Sequence, residues 1–470
     1  MDKRNRAARL CAFVAPAALA LLLTAPLPVR AEVHGSAPAL TAGAAPSLGL
    51  GAVTASVLPN GMKVIVGPSQ TADLVTLDVW VGAGTRRETA QNNGAAHFIE
   101  HLIFKGTPTR KPGDIDSAIE DLGGTLNAAT SYDWAHFYVT VSASDAAKAL
   151  AVLSDAVRNA SLRQEDMDSE RGVILDERAS ELSTPAQRTL QTANALMFPG
   201  HPYGRPLLGS VVNITGMTRQ TVLDFYKDYY VPANTTLVIT GNITPDAGLA
   251  LARQYFGDWP ARDLPTDKTP AEEPLTDTRV RALYGGTREG YLTMAFGAPG
   301  VQDQPDAWVM DVLLTWLGQG GNNRLEQDLQ RKAKMVTSIS TNYLTQHDRG
   351  ALTITAGFPP GNTDRVISAL LAEIATLRNT PLTDDELNDA KHALLASYLF
   401  DAQTDSGRAD ALGFYNTIDT YKYDTDYVAH VLSVTSAQIQ HVAQTYLDPK
   451  AYTLVTLLPR ANPVEASAPR

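Results

Sequence analysis

Ala95-Ala96-His97-Phe98-Ile99-Glu100-His101-Leu102-Ile103-Phe104 carries the densest information in this chain of 470 residues. Helical periodicity runs from about Ala95 to Phe104. Each residue of an α-helix turns the chain by about 100°, so His97 and His101 stand one above the other on one face. Their imidazoles can converge on one ion at about 2.0–2.1 Å, the usual zinc–nitrogen distance. Glu100 lies on the same side, about 60° away, and can reach a metal-bound water without being a ligand. Ile99, Leu102 and Ile103 cover the opposite face and anchor the helix in a core. With only nine histidines in the chain, two framing a glutamate in this way is an uncommon coincidence. His-x-x-Glu-His is the inverted zinc-peptidase arrangement.

A catalytic zinc takes three protein ligands and keeps one position open. The single cysteine, Cys11, falls near the amino terminus, so the third ligand must be His, Asp or Glu. Glu177 is the candidate, in Glu170-Arg171-Gly172-Val173-Ile174-Leu175-Asp176-Glu177, a helical stretch despite Gly172. Seven residues make nearly two turns, so Glu170 and Glu177 share a face. One carboxylate would bind the metal and the other would hydrogen-bond a histidine ring. Asp168 and Asp176 compete, and spacing alone does not separate them. With zinc in place the pKa of bound water drops toward about 7. Glu100 would take that proton and pass it to the leaving amine.

Outward from this pair of helices, the first half reads as mixed strand and helix. Leu58-Pro59-Asn60-Gly61-Met62 is a turn between two strands, with Asn-Gly as the hairpin signal. Leu74 to Val81 is an apolar, β-branched run. Helix is expected again over 112–122, a strand pair around 126–140, long helices over 144–160 and 164–182, and a strand over 235–240. Pro260, Pro265, Pro270 and Pro274 then sit among Asp, Thr and Glu, a solvated linker over 260–279. The second half repeats the order: strand 291–296, helix 306–317, strands 336–343 and 352–358, helices from Val366 and from about Asp384, and a closing strand 453–457. The expected units are an N-terminal metal domain over 51–259 and a homologous domain over 280–460.

At the start, Lys3, Arg4, Arg6 and Arg9 precede the apolar run Leu10 to Leu23, and Val29-Arg30-Ala31 supplies small residues for cleavage. Residues 1–31 therefore read as a secretory signal, 32–50 as a loose leader and 461–470 as a tail. Cleavage would remove Cys11, leaving no membrane anchor and no disulfide. The formal net charge is −11, and loss of the basic signal makes it more negative. Such a surface is a poor match for nucleic acid or anionic lipid, and a periplasmic location is expected.

Gly94-Ala95-Ala96-His97-Phe98-Ile99-Glu100-His101-Leu102-Ile103-Phe104-Lys105-Gly106-Thr107 resembles the signature of the pitrilysin/insulinase family, which includes mitochondrial processing peptidase subunits and their bacterial relatives. Gly123-Gly124-Thr125-Leu126-Asn127-Ala128 with Thr130-Ser131 resembles that family's active-site strand, and the Glu170 to Glu177 segment its distal-glutamate helix. The resemblance spans roughly residues 52–460. It implies an α+β fold of two homologous domains, each a mainly antiparallel sheet packed by helices, forming half of a clam-like chamber. It also implies one zinc ion on His97, His101 and Glu177 (here choosing Glu177 over Asp176), Glu100 as base and Glu170 as supporting acid. Asn127 and Ala128 map to an edge strand that takes an extended peptide by β-addition.

The second half departs from the metal pattern. Ala307-Trp308-Val309-Met310-Asp311-Val312-Leu313 stands where the histidine helix would repeat, and Ser397 where Glu177 would. Arg324 resembles the family's substrate-contacting arginine, but the accompanying tyrosine falls at Thr337, and Tyr343 has the wrong spacing to replace it. Peptide substrates are implied, together with a homologous metal-free partner subunit or, failing that, a homodimer. The competing reading is a non-catalytic assembly or chaperone-like subunit that keeps the fold.

Overall fold

The computed structural model describes residues 51–319 and 323–460; the expected signal, leader and tail lie outside them. In the first half, β1 (Thr54–Val57), β2 (Lys63–Pro68), β3 (Leu74–Val81), β4 (Thr125–Thr130), β5 (Ala135–Ser142) and β6 (Thr235–Gly241) form one sheet, ordered β1-β2-β6-β3-β5-β4. Asn60-Gly61 makes the expected turn, with Gly61 at φ 91°, a conformation that hairpin turns demand and glycine adopts freely. In the second half, β7 (Arg279–Tyr284), β8 (Gly290–Ala298), β9 (Ser338–Asn342), β10 (Gly350–Phe358) and β11 (Thr453–Leu458) are ordered β7-β11-β8-β10-β9.

Without β1, the two sheets have the same order when read along the chain. Each has one parallel pair, β2 with β6 and β7 with β11, and antiparallel pairing elsewhere. The repeated order of elements in the sequence is thus a repeat in space, and the fold is two α+β units of mixed, mainly antiparallel sheet.

Alternation along the strands builds two cores. Leu77, Val79, Phe137, Val139, Leu237 and Ile239 face Phe98, Ile99, Leu102, Leu150 and Leu153 in the first half. Met294, Phe296, Ile354 and Ala356 face Trp308, Val309, Val312 and Leu313 in the second.

The remaining face of each sheet is covered from the opposite half. Helix Pro185–Met197 lies on β8, β10 and β11, burying Ala193 and Met197 with Ala295 and Val455. Helix Asp405–Ile418 lies on β2, β3 and β6, burying Ala409 and Leu412 with Ile65, Trp80 and Val238. Gly413 lets that helix approach, since a Cβ there would come 2.1 Å from Trp80 Nε1. Residues 261–276 carry no helix or strand. They are tied down, with Asp267 pairing with Arg86 at 2.7 Å and Arg87 at 2.8 Å, while Arg86 also pairs with Asp348 of the second half.

Candidate metal centre

The helix Ala95–Leu102 begins where Gly94 takes φ 104° against Gly209; a Cβ on Gly94 would come within 3.1 Å of the Gly209 Cα. Buried Glu88 holds that start. Its carboxylate accepts from the backbone N–H of Gly94 at 2.9 Å and Ala96 at 2.8 Å, and from Asn93 Nδ2 at 2.8 Å. Anionic groups are favoured at a helix N-terminus. Burial nevertheless pushes the Glu88 carboxyl up to about 7 against these bonds. Phe98, Ile99 and Leu102 fix the apolar face in the core.

The second helix, Gln164–Ser183, packs across the first. Arg171 crosses between them, its guanidinium 5.6 Å from the centre of the Phe98 ring and donating to Met217 O at 2.8 Å. This register brings Glu177 Oε2 to 3.6 Å from His97 Nε2 and 3.4 Å from His101 Nε2. Among the described residues, these three side chains are the one group of potential ligands close enough to share an ion.

The spacing fits a metal better than direct pairing. Donors held tetrahedrally at about 2.0–2.1 Å from zinc stand about 3.4 Å apart, whereas good N–H···O bonds measure about 2.7–3.2 Å. Glu170 Oε2 sits 3.0 Å from His101 Nδ1, and Lys105 Nζ is 2.8 Å from Glu170 Oε1. With Nδ1–H donated to Glu170, the lone pair of His101 lies on Nε2, toward Glu177.

Burial, only partly offset by the charges of Glu100 and Glu177, lowers the pKa of His97 and keeps its ring neutral, as ligation requires. His101 is also buried, but its contacts with Glu170 and Glu177 outweigh that and raise it to about 9, so a metal on Nε2 would displace a proton from it. Burial alone would raise Glu177 and Glu170; contacts with the imidazoles, and with Lys105 for Glu170, hold both below the usual carboxylate range. Glu100 is half-buried and has no hydrogen bond or ion pair among the described residues, yet its charge acts on both His97 and His101. A free carboxylate beside three converging donors can take up and release a proton.

The other expected site residues are spread more widely. Asn127 and Ala128 lie on β4, at the open edge of the first sheet. Asn127 Nδ2 donates to Tyr138 Oη at 3.2 Å and its Oδ1 accepts from the Ala128 N–H at 2.9 Å, so this amide is engaged within its own sheet. Arg324 is in the second half, held by Asp328 at 2.6 Å and Glu373 at 3.1 Å, and makes no contact with the His97 group. Thr337 donates to Glu289. Tyr343 is excluded as a replacement for the missing tyrosine, because it is buried and donates to Pro299 O at 2.9 Å. Ser397 is exposed. His136 pairs with Asp78, 3.2 Å from each carboxylate oxygen.

Reading the sequence did not single out Glu88, Lys105 or Arg178. For Glu88 the available signal is an acid shortly before a glycine-started helix. For Lys105 it is i, i+4 spacing from His101. Arg178 adjoins the candidate ligand Glu177.

The chain is similar to known proteins over most of its length. The family pattern described as "Insulinase (Peptidase family M16)" matches residues 63–211, and "Peptidase M16 inactive domain" matches residues 216–394. An uncharacterized zinc protease of Mycobacterium leprae is 30% identical over 420 residues, 87% of this chain and 92% of that protein. A probable mitochondrial-processing peptidase subunit beta of Arabidopsis thaliana is 27% identical over 418 residues, 86% of this chain and 78% of that protein. Among solved structures, a protease from Helicobacter pylori superposes with TM-score 0.82 at 23% identity, covering 86% of this chain and 99% of that one. On its sequence, its duplicated fold and its relatives, the chain belongs to the insulinase family, peptidase family M16.

Proposed function

We propose that the chain is a zinc-dependent endopeptidase acting on peptides or unfolded segments. The observation that carries this reading is the convergence of His97, His101 and Glu177 with an unpartnered Glu100 alongside. These three side chains would hold the ion. Zinc bound there would supply Lewis-acid activation of a water molecule and of the scissile carbonyl.

The chain's own groups do the rest. Glu170 accepts the Nδ1–H of His101 and keeps that ring in one tautomer and orientation. Glu100 takes a proton from the attacking water. As the water oxygen bonds to the carbonyl carbon and the C–N bond breaks, Glu100 delivers the proton to the departing amine. An extended peptide would add to the free edge of β4, near Asn127 and Ala128, through backbone hydrogen bonds that read little side-chain identity.

Arg324 is tied through Nε to Asp328 and Glu373 in the second half, and Thr337 offers no phenol. Both points support a homologous, metal-free partner subunit that supplies these contacts and closes the chamber. The basic, apolar residues 1–31 support export to the periplasm before assembly. No helix among the described residues is long and apolar enough to cross a membrane.

The test is metal analysis together with hydrolysis of an unstructured peptide, for the native chain and for Glu100→Gln, each alone and with a co-encoded homologue. The expected result is about one zinc per chain in both proteins and a loss of about 10²-fold or more in hydrolysis for the variant. Equal hydrolysis by both would contradict the role of Glu100. A chain that binds no zinc would contradict the whole reading, and full activity of the lone chain would remove the partner.

A further inference from the structure

Three arginines of the described residues are buried: Arg86, Arg178 and Arg408. Two are satisfied. Arg86 pairs with Asp348 and Asp267, and Arg408 donates to Pro68 O at 2.7 Å and Gly51 O at 2.8 Å. Arg178 is 9% exposed, and its Nε and Nη1 are buried without any hydrogen-bond partner. A guanidinium does not shed its proton inside a protein, so this is a buried charge with no ion pair among the described residues. Such charges are costly unless paired.

Its position says what it faces. Arg178 follows Glu177 directly and lies one turn beyond buried Ile174, on the packed side of the helix. Glu181, one turn further along, is within electrostatic reach of both Arg178 and Glu177. No carboxylate among the described residues comes within ion-pairing distance of Arg178. Glu170 is committed to His101 and Lys105, and Glu177 to the two histidines. Arg178 is thus left without an ion-pair partner one residue from Glu177.

We infer that Arg178 forms a carboxylate-binding subsite next to the metal centre and selects peptides that carry a carboxylate near the bond to be cleaved. Arginine suits this role, because its planar fork of N–H donors matches a carboxylate in geometry as well as in charge. The carboxylate can be an acidic side chain or the peptide's own C-terminus. The inference rests on the peptidase reading above, and it assigns a substrate preference to a site otherwise served by backbone contacts.

The test uses the full chain carrying Glu100→Gln, loaded with zinc and combined with its co-encoded homologue, so that bound peptides stay intact. The probes are acetylated alanine-based octapeptides with one Glu, or Gln in its place, stepped through every position, each with a free or amidated C-terminus. Binding is measured by calorimetry. The expected result is a preference of about tenfold or more for one carboxylate position over its neutral counterpart, the gain of a charge-assisted pair. Loss of that preference on Glu→Gln identifies a side-chain carboxylate, and loss on amidation identifies the C-terminus. Adding Arg178→Gln should remove the preference while neutral peptides bind as before, and Arg178→Lys should restore part of it.

Equal binding of all probes by the Arg178-containing protein would overturn the subsite and leave the peptidase reading standing. A preference that survives Arg178→Gln would also overturn it. Arg178 would then be a structural partner of Glu181, and its loss would show as a lower Tm. Absence of binding by every probe would overturn the subsite together with the peptide-binding reading.

Discussion

At the scale of single residues, the centre depends on how His101 divides its two nitrogens. Nδ1 faces Glu170 at 3.0 Å, and Nε2 faces Glu177 at 3.4 Å. Removing the Glu170 carboxylate should leave all three ligands in place but free the ring to rotate. Glu170→Ala is expected to weaken zinc binding by about 10–100-fold, measured by competition with a chelator, whereas Glu177→Ala should abolish stoichiometric binding. Away from the centre, a buried carboxyl contributes to the pH response of the fold. Asp311 accepts from Tyr427 at 2.9 Å, and burial pushes its carboxyl up to about 7, against an ordinary value of 3.8. Between those values the folded chain holds a proton that the unfolded chain releases, so Asp311 withdraws stability as pH rises from about 4 to 7. Asp311→Asn should therefore lose less stability than the native chain between pH 5 and pH 8. Denaturant titration at the two pH values is the check, and identical losses would contradict it.

Among the elements, the histidine helix was legible because its information is local. Two proposed ligands, the proposed proton acceptor and the apolar face all lie within Ala95–Leu102. Glu177 was legible only as one of several acids, and resemblance, not spacing, chose it. What selects it physically is the crossing of two helices, fixed by Arg171 on Phe98 and by burial of Met167 and Ile174, and such packing leaves no mark in one segment. The helices Pro185–Met197 and Asp405–Ile418 were not read at all. Their small apolar residues, Ala193, Ala409 and Gly413, answer to strands of the opposite half, so the local pattern gives no reason for their burial. Glu88 escaped for a similar reason, because its partners are backbone N–H groups. Its prediction belongs here too. Glu88→Ala strips the Gly94 and Ala96 N–H groups of their acceptor and should cost about 1–3 kcal/mol per group left unsatisfied. The denaturation midpoint should fall and zinc should bind more weakly, since the helix that carries both histidines frays at its start.

For the whole molecule, the duplicated sheets were foreseeable from the order of elements, but their mutual dependence was not. Each sheet needs a helix from the other half to cover one face, and Thr189 and Thr293 share a buried hydrogen bond of 2.8 Å across that exchange. The halves 51–259 and 280–460, expected from the sequence as domains, should therefore fail to fold when produced separately. Alone, the first would leave Trp80, Ile65 and Val238 uncovered. Co-expression should rescue both, as judged by solubility and cooperative unfolding, and independent folding of either half would contradict the exchange. Gly413→Leu, which overfills the Trp80 contact, should cost at least about 1–3 kcal/mol.

All of the chemistry proposed for the chain rests on one ion held by two imidazoles and one carboxylate. Zinc K-edge X-ray absorption on the full-length chain, loaded with one equivalent of zinc, tests this most directly. The expected spectrum shows two imidazole nitrogens and one carboxylate oxygen at about 2.0–2.1 Å in a four-coordinate shell, a shell that Glu177→Ala should lose together with its stoichiometric zinc. A six-coordinate, all-oxygen shell, or a spectrum unchanged in that variant, would contradict it.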